Sequence, residues 1–233
     1  MSIGTKILNK IVSLAQATGG QVEGNKDVTD EMKNLARAVA EEGVVMLKND
    51  GALPLSGNDV VAVFGRVQND WFYVGYGSGG DVKPPYKVNL IEGLENEGVK
   101  IDETLKKIYA DWSVKNVPYE GFWGHWPFHF DEMPLSDKVV GEAARRANKA
   151  IVVIGRAAGE DREQKLEKGS FYLTDEEKKM LSVVTKNFNS TILIIDNGNI
   201  MDLSFIDAYG SALSAALYVW NGGMESGNAV ARV

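Results

Sequence analysis

The sequence predicts an α/β fold in which a mainly parallel sheet is covered by helices on both sides. Two observations carry that expectation. Runs such as Val60-Val61-Ala62-Val63-Phe64 and Ile151-Val152-Val153-Ile154 are apolar at every position, as strands buried on both faces must be. Between such runs lie segments with helical spacing of apolar residues and N-terminal capping signals, so strand and helix alternate.

Residues 1–27 read as an N-terminal leader. Within it, Ile7 to Ala15 fits a short amphipathic helix, broken by Gly19, Gly20 and Gly24. Thr29 is suited to cap a helix whose first turn holds Asp30 and Glu31, acids favoured there by the helix dipole. Met32, Leu35, Ala36, Val39 and Ala40 follow a helical period. Gly43 to Asn49 turns strand-like, Asn49-Asp50-Gly51 is a turn, and Leu53-Pro54-Leu55 is an extended, proline-restricted piece. After the strand ending at Gly65, a Gly- and aromatic-rich loop runs from Arg66 to Tyr86. Leu90 and Leu94 begin a helix, Val99-Lys100-Ile101 is a short strand, and Leu105 to Trp112 is helical. A second aromatic loop occupies residues 116–135, and Ser136 caps a helix over 137–148.

The C-terminal half is regular. Strand 150–155 leads into a loop dense in charge, from Arg156 through Glu160, Asp161, Arg162, Glu163, Lys165 and Glu167 to Lys168. Thr174-Asp175-Glu176-Glu177 is a capping box opening helix 174–188. Strand 191–196, helix 201–208, strand 215–220 and a helix from Met224 complete the pattern. No repeat or low-complexity linker divides residues 28–233, which are expected to form one domain.

The composition narrows the chemistry. Lysine and arginine number 25 against 32 acids, a net charge of −7, so no basic footprint for nucleic acid is present. Cysteine is absent, which removes thiolate chemistry. His125 and His129 are four apart, but Pro127 between them opposes the helix that a metal pair would need. The leader lacks the continuous apolar core of a signal peptide, and no stretch approaches the ~20 residues of a membrane span. The expectation is a cytoplasmic protein with no membrane partner and no cofactor. Gly75 to Gly80 is not a phosphate loop, since no Lys-Ser/Thr follows and no helix directly succeeds it.

Ligands of open α/β sheets bind outside the carboxyl ends of the strands, which is where the charged loop and the loop after Gly65 belong. On composition alone that loop reads as solvated mixed charge. Its neighbours change the reading. Glu42-Gly43-Val44-Val45-Met46-Leu47-Lys48-Asn49-Asp50-Gly51-Ala52-Leu53-Pro54-Leu55 resembles the segment that enters the second domain of family 3 glycoside hydrolases. Val61 to Arg66, Gly75 to Gly79 and Leu90 to Leu94 look like that domain's next landmarks. Ala158-Gly159-Glu160-Asp161-Arg162 with Lys168-Gly169-Ser170-Phe171-Tyr172-Leu173-Thr174 is similar to its acid/base loop, and Trp220 to Ala229 to its closing signature. The family's loop often reads Ser-Gly-Glu-Gly with an aromatic next, whereas an acid follows Glu160 here.

The resemblance runs in order from about residue 28 to the C-terminus. It implies a six-stranded α/β sandwich that works beside a (β/α)8 barrel. The barrel holds the sugar and supplies an aspartate nucleophile; the sandwich lends the proton donor. With the sandwich first and no barrel-length sequence present, the expectation is a fragment of a reversed-order member. The implied reaction is retaining hydrolysis of a β-linked oligosaccharide or glucoside at its non-reducing end, most simply by a β-glucosidase. Such enzymes use two carboxyl groups about 5–5.5 Å apart, one of them protonated. Glu160 is the residue matched to the proton donor. Trp71, Phe72 and Tyr76 in the first aromatic loop, and Trp123 in the second, are candidates for stacking on sugar rings. The alternative is a non-catalytic, flavodoxin-like module binding a sugar or nucleotide.

Overall fold

Strands built from Val, Ile and Leu on both faces need helices above and below them, and that is the arrangement seen. The computed structural model describes residues 27–77, 80, 84–121, 125–160 and 162–233. The elements are α1 (Asp30–Gly43), β1 (Val45–Asn49), β2 (Val60–Phe64), α2 (Leu90–Asn96), β3 (Lys100–Ile101) and α3 (Glu103–Lys115). They continue with α4 (Asp137–Arg146), β4 (Lys149–Arg156), α5 (Asp175–Asn187), β5 (Thr191–Asn197), α6 (Ser204–Tyr209), β6 (Ala215–Val219) and α7 (Ser226–Arg232). The six strands form one sheet in the order β1-β6-β5-β4-β2-β3. All neighbours are parallel except β1, which runs antiparallel to β6.

Alternation along each strand divides the core in two. Phe64, Val152, Ile154, Leu193 and Ile195 face α3 to α6, meeting Leu105, Tyr109, Val140, Leu181 and Ile206. Val63, Ile151, Val153, Ile192, Ile194 and Leu217 face the other way, onto Leu90, Leu94 and Val230 of α2 and α7. The helix starts are capped from the sequence: Thr29, Asp102 and Ser136 by their side chains, Asn89 with Glu92 and Thr174 with Glu177 as full capping boxes. At the second helix layer, α2 and α7 approach backbone to backbone. A Cβ on Gly93 would lie 2.1 Å from the Gly227 carbonyl oxygen, and one on Gly227 would lie 2.1 Å from that of Asn89.

Two expectations are corrected. The helix read over 201–208 starts at Ser204, because the Asp202 carboxylate accepts from both the Ser204 amide and hydroxyl and holds the preceding residues in a turn. Helix α1 forms as expected, but its apolar stripe is not its packing face. Met32, Leu35 and Val39 are exposed, while α1 rests on α7 and the turn before it through residues such as Ala40 and Glu41. Among the described residues no helix is long and apolar enough to cross a membrane. Residues 1–26, with most of the leader, lie outside the described residues.

Gly93→Ala is expected to destabilise the fold by about 1–3 kcal/mol through overpacking, read as a lower urea midpoint at unchanged m-value.

Candidate active site

Because β2, β4, β5 and β6 are parallel, their carboxyl ends gather at one edge of the sheet. Helix α3 brings the second aromatic loop to the same edge: the Tyr109 hydroxyl accepts from the Gly65 amide, 2.9 Å away, just past the end of β2. The loop after β4 leaves between these neighbours and carries Glu160.

The backbone of Glu160 is held on both sides. Residues 76 and 159 form a parallel β-bridge, in which the Tyr76 amide donates to the Ala158 carbonyl at 2.7 Å and the Glu160 amide to the Tyr76 carbonyl at 3.1 Å. Only glycine fits at this contact. A Cβ on Gly159 would sit 2.5 Å from the Tyr76 carbonyl oxygen, and one on Gly77, at φ +107°, 2.5 Å from the Glu160 Cβ. The Glu160 side chain therefore lies across the Gly77 backbone and reaches solvent.

Aromatic rings fill in beside it. Tyr76 stacks on Trp126 with ring centres 5.5 Å apart and planes 6° from parallel. Burial pushes the Tyr76 hydroxyl above its usual range, with Glu120 acting in the same direction, so it is a neutral donor. The Ala157 amide donates to the Phe128 carbonyl at 2.7 Å, and the Arg162 guanidinium lies 3.9 Å over the Phe128 ring. The His129 Nδ1 meets the Gly169 carbonyl at 2.9 Å, with the ring packed on the glycine's open face. Among the described residues, no group of three His, Asp or Glu side chains stands ready for a metal ion.

Trp71 and Phe72 are corrected from candidate ligand contacts to packing residues. Both are 6% exposed in the core on the α2 and α7 side of the sheet. The Trp71 indole donates to Ser226 Oγ at 3.0 Å, and Phe72 stacks on Phe130 at 4.9 Å. The Phe72 amide donates to Asp196 Oδ2 at 2.7 Å and its carbonyl accepts from Asn221 at 2.6 Å. Their loop is thus nailed to the ends of β5 and β6, and only past Tyr73 does it turn toward Glu160. Trp123 and Asp161 lie outside the described residues. Trp126, in the same aromatic cluster as Trp123, is the ring the fold brings beside Tyr76. The sequence signalled that cluster but not which of its members would pair.

Beneath the loops lies a layer of buried charge. Arg156, at the end of β4, meets Glu177 of α5 in a bidentate pair at 2.6 and 2.7 Å. Its remaining donors go to the carbonyls of Ser170, Gly155 and Tyr172. Burial pushes the Glu177 carboxyl up, but Arg156 and the Thr174 amide outweigh it and hold the group below its usual value. Arg156 pairs with α5 rather than with the loop's own acids, since its side chain points under the loop. Glu132 takes the Arg66 and Met133 amides, yet burial lifts its carboxyl to about 7. Asp196 is fully buried, and burial raises it well above the ordinary range against the opposing Phe72 amide. A cavity of about 380 Å³, lined by Leu53, Leu55, Leu94 and Val230 among others, lies toward the amino ends of the strands and touches none of these loops.

Comparison with known proteins bears on this edge. The model of the glycosyl hydrolase family 3 C-terminal domain matches residues 44–233. A β-glucosidase of Ruminococcus albus is 42% identical over 207 residues, which are 88% of this chain and 21% of the relative. β-Glucosidase A of Butyrivibrio fibrisolvens is 34% identical over 91% of this chain and 28% of its own length. Among solved structures, a β-glucosidase from Paenibacillus barengoltzii superposes with a TM-score of 0.86 at 38% identity, covering 89% of this chain and 23% of that one. The chain thus spans well under a third of the relatives it matches.

Arg156→Ala leaves a buried carboxylate unpaired and is expected to cost about 3–5 kcal/mol in denaturant unfolding. The raised Glu132 makes folding favour its protonated form, so that its contribution is fully present below about 4.5 and lost as pH rises through about 7. Stability should fall across that window by at most about 1.4 kcal/mol per pH unit from this group. Glu132→Gln should flatten the slope, measured as urea midpoints between pH 5 and 7.

Proposed function

The chain belongs to the glycosyl hydrolase family 3 C-terminal domain family, and from that membership we propose that it supplies the acid/base carboxyl of a retaining, exo-acting β-glycosidase. The acid/base is Glu160, and the substrate is a β-linked oligosaccharide or glucoside cut at its non-reducing end. One observation carries the reading. Glu160 stands exposed at the carboxyl edge of the sheet, on a loop whose backbone is pinned by the bridge between residues 76 and 159. A proton donor lent to a sugar held elsewhere needs both properties: reach outside its own domain, and a fixed backbone to define where the carboxyl arrives.

On this reading the nucleophile is an aspartate of a (β/α)8 barrel outside these 233 residues. As it bonds to the anomeric carbon, Glu160 passes its proton to the departing glycosidic oxygen. In the second step the Glu160 carboxylate takes a proton from water as that water attacks the same carbon, releasing the sugar with its configuration retained. Closure against the barrel excludes water from the exposed carboxyl and favours its protonated form. Tyr76 and Trp126 form a stacked aromatic wall next to Glu160, suited to the leaving-group side of the substrate. Trp123 remains the further stacking candidate. Trp71 and Phe72 support that wall from beneath. The β-glucosidases among the relatives support a β-glucoside as the substrate.

The isolated 233 residues should give no turnover of an aryl β-glucoside above background; strong turnover abolished by Glu160→Ala would overturn the two-domain reading. In an enzyme that joins this domain to its barrel, Glu160→Ala should lower kcat/KM for a poor leaving group by about 10²–10⁴-fold. Azide, a small nucleophile needing no base, should restore part of the rate for an activated substrate. Unchanged activity in that variant removes Glu160 from the role.

A further inference from the structure

Arg66, just past the end of β2, is a charged side chain only 2% exposed. Its partners show what holds it there. Nε donates to Asp70 Oδ2 at 2.8 Å, Nη1 to the Asp131 carbonyl at 2.7 Å and Nη2 to the Asn116 carbonyl, while the guanidinium lies 4.5 Å over the Trp112 ring. Asn116 opens the second aromatic loop and Asp131 stands near its close, so one guanidinium bridges both ends of that loop. A planar fork can do this because its two outer nitrogens point in fixed, different directions; an ammonium is a single point charge. Arg66 also begins the first aromatic loop. Its amide is held by both oxygens of Glu132, at 2.9 and 2.8 Å, and Glu132 Oε1 accepts the Met133 amide at 2.8 Å. Both aromatic loops therefore leave from one clasp. Beyond it, Tyr76 of the first loop and Trp126 of the second stack beside Glu160. The second loop is close-packed on the way. A Cβ on Gly121, at φ +76°, would lie 2.5 Å from the His125 carbonyl oxygen and 2.7 Å from the Trp126 Cα.

We infer that Arg66 and Glu132 are positioning residues: their clasp sets how the Trp126 ring meets Tyr76 and passes the protonation state of Glu132 to that wall. The catalytic consequence rests on the proposed reading of the wall as the leaving-group side; the structural one stands without it. Burial pushes the Glu132 carboxyl up, to about 7. The Arg66 and Met133 amides oppose the rise, the charge of Glu177 on α5 adds to it, and the Arg66 guanidinium resists it. From α3, Tyr109 faces it as a neutral hydroxyl. As pH rises through about 7, a charge thus appears on an acceptor shared by one amide from each loop. A charged acceptor draws an amide more strongly than a neutral one, so the bases of both loops shift with it.

Indole N–H resonances of the 233-residue chain, followed by NMR against pH, test this, with Trp126→Phe identifying the signal. The Trp126 signal should move with a midpoint of about 7. In Glu132→Gln that movement should vanish. Arg66→Lys keeps the charge but cannot bridge both carbonyls, and should displace the signal at every pH. The Trp71 indole, bonded to Ser226, should hold its place in each variant, which separates a shifted wall from a lost fold. In an enzyme that joins this domain to its barrel, Arg66→Lys should raise KM for an aromatic leaving group by up to about tenfold, with kcat changed by less than about twofold. Failure of the acid/base reading shows instead as unchanged activity in Glu160→Ala and leaves the indole measurements untouched. The inference is overturned if the Trp126 signal ignores pH or titrates equally in Glu132→Gln. It is equally overturned if Arg66→Lys leaves either that signal or KM unchanged.

Discussion

Arg156 brings five N–H donors to the end of the central strand β4, into a place 1% exposed. Each donor has an acceptor: two carboxylate oxygens of Glu177 and the carbonyls of Gly155, Ser170 and Tyr172. A guanidinium so enclosed is tolerable only when every donor is met and its charge is balanced. The same Glu177 also accepts from the Thr174 amide and so closes the N-terminal cap of α5. One residue pair thus joins the end of β4, the return of the acid loop and the start of α5. The loop from Ala157 to Thr174 is thereby fixed at both ends before any of its own contacts are considered.

Between those ends the loop is positioned by neighbours that are distant in sequence. The Tyr76 backbone flanks Gly159 and Glu160, Phe128 supports Ala157 and Arg162, and His129 closes on Gly169. Phe72 and Phe130 stack beneath and tie the two aromatic loops to each other. The consequence is an exposed carboxyl on a well-determined backbone. Exposure and rigidity normally oppose one another in loops. Here they coexist because the aromatic residues are spent on support and the carboxyl on presentation, with Tyr76 and Trp126 at the boundary between the two.

The acids under this layer show a second consequence of close loop packing. Glu132 and Asp196 each accept backbone amides from loop residues, Arg66 and Phe72 respectively, so they define the turns where β2's loop begins and bends. Both are enclosed enough that burial raises the carboxyl above its ordinary range. Their geometry is useful and their ionisation is costly, which couples the shape of this edge to pH.

Much of this protein was determined by sequence alone. Uninterrupted Val/Ile/Leu runs require strands buried on both faces, and Thr174 with Glu177 requires a helix start, because these are local consequences of side-chain shape, apolarity and spacing. The order of landmarks around Gly159-Glu160 likewise marked one carboxyl in a crowded charged loop. What tertiary structure decided was direction. Trp71 and Phe72 carry the same aromatic signal as Tyr76, yet Asp196, Asn221 and Ser226 turn them inward, and those partners lie more than a hundred residues away. Arg156 is indistinguishable in sequence from the loop charges that follow it, until the sheet places it beneath them. The stripe of Met32, Leu35 and Val39 reads as a core face and lies open, because α7 takes the opposite side of the helix. Periodicity names a face; only the packing of distant elements decides what that face meets.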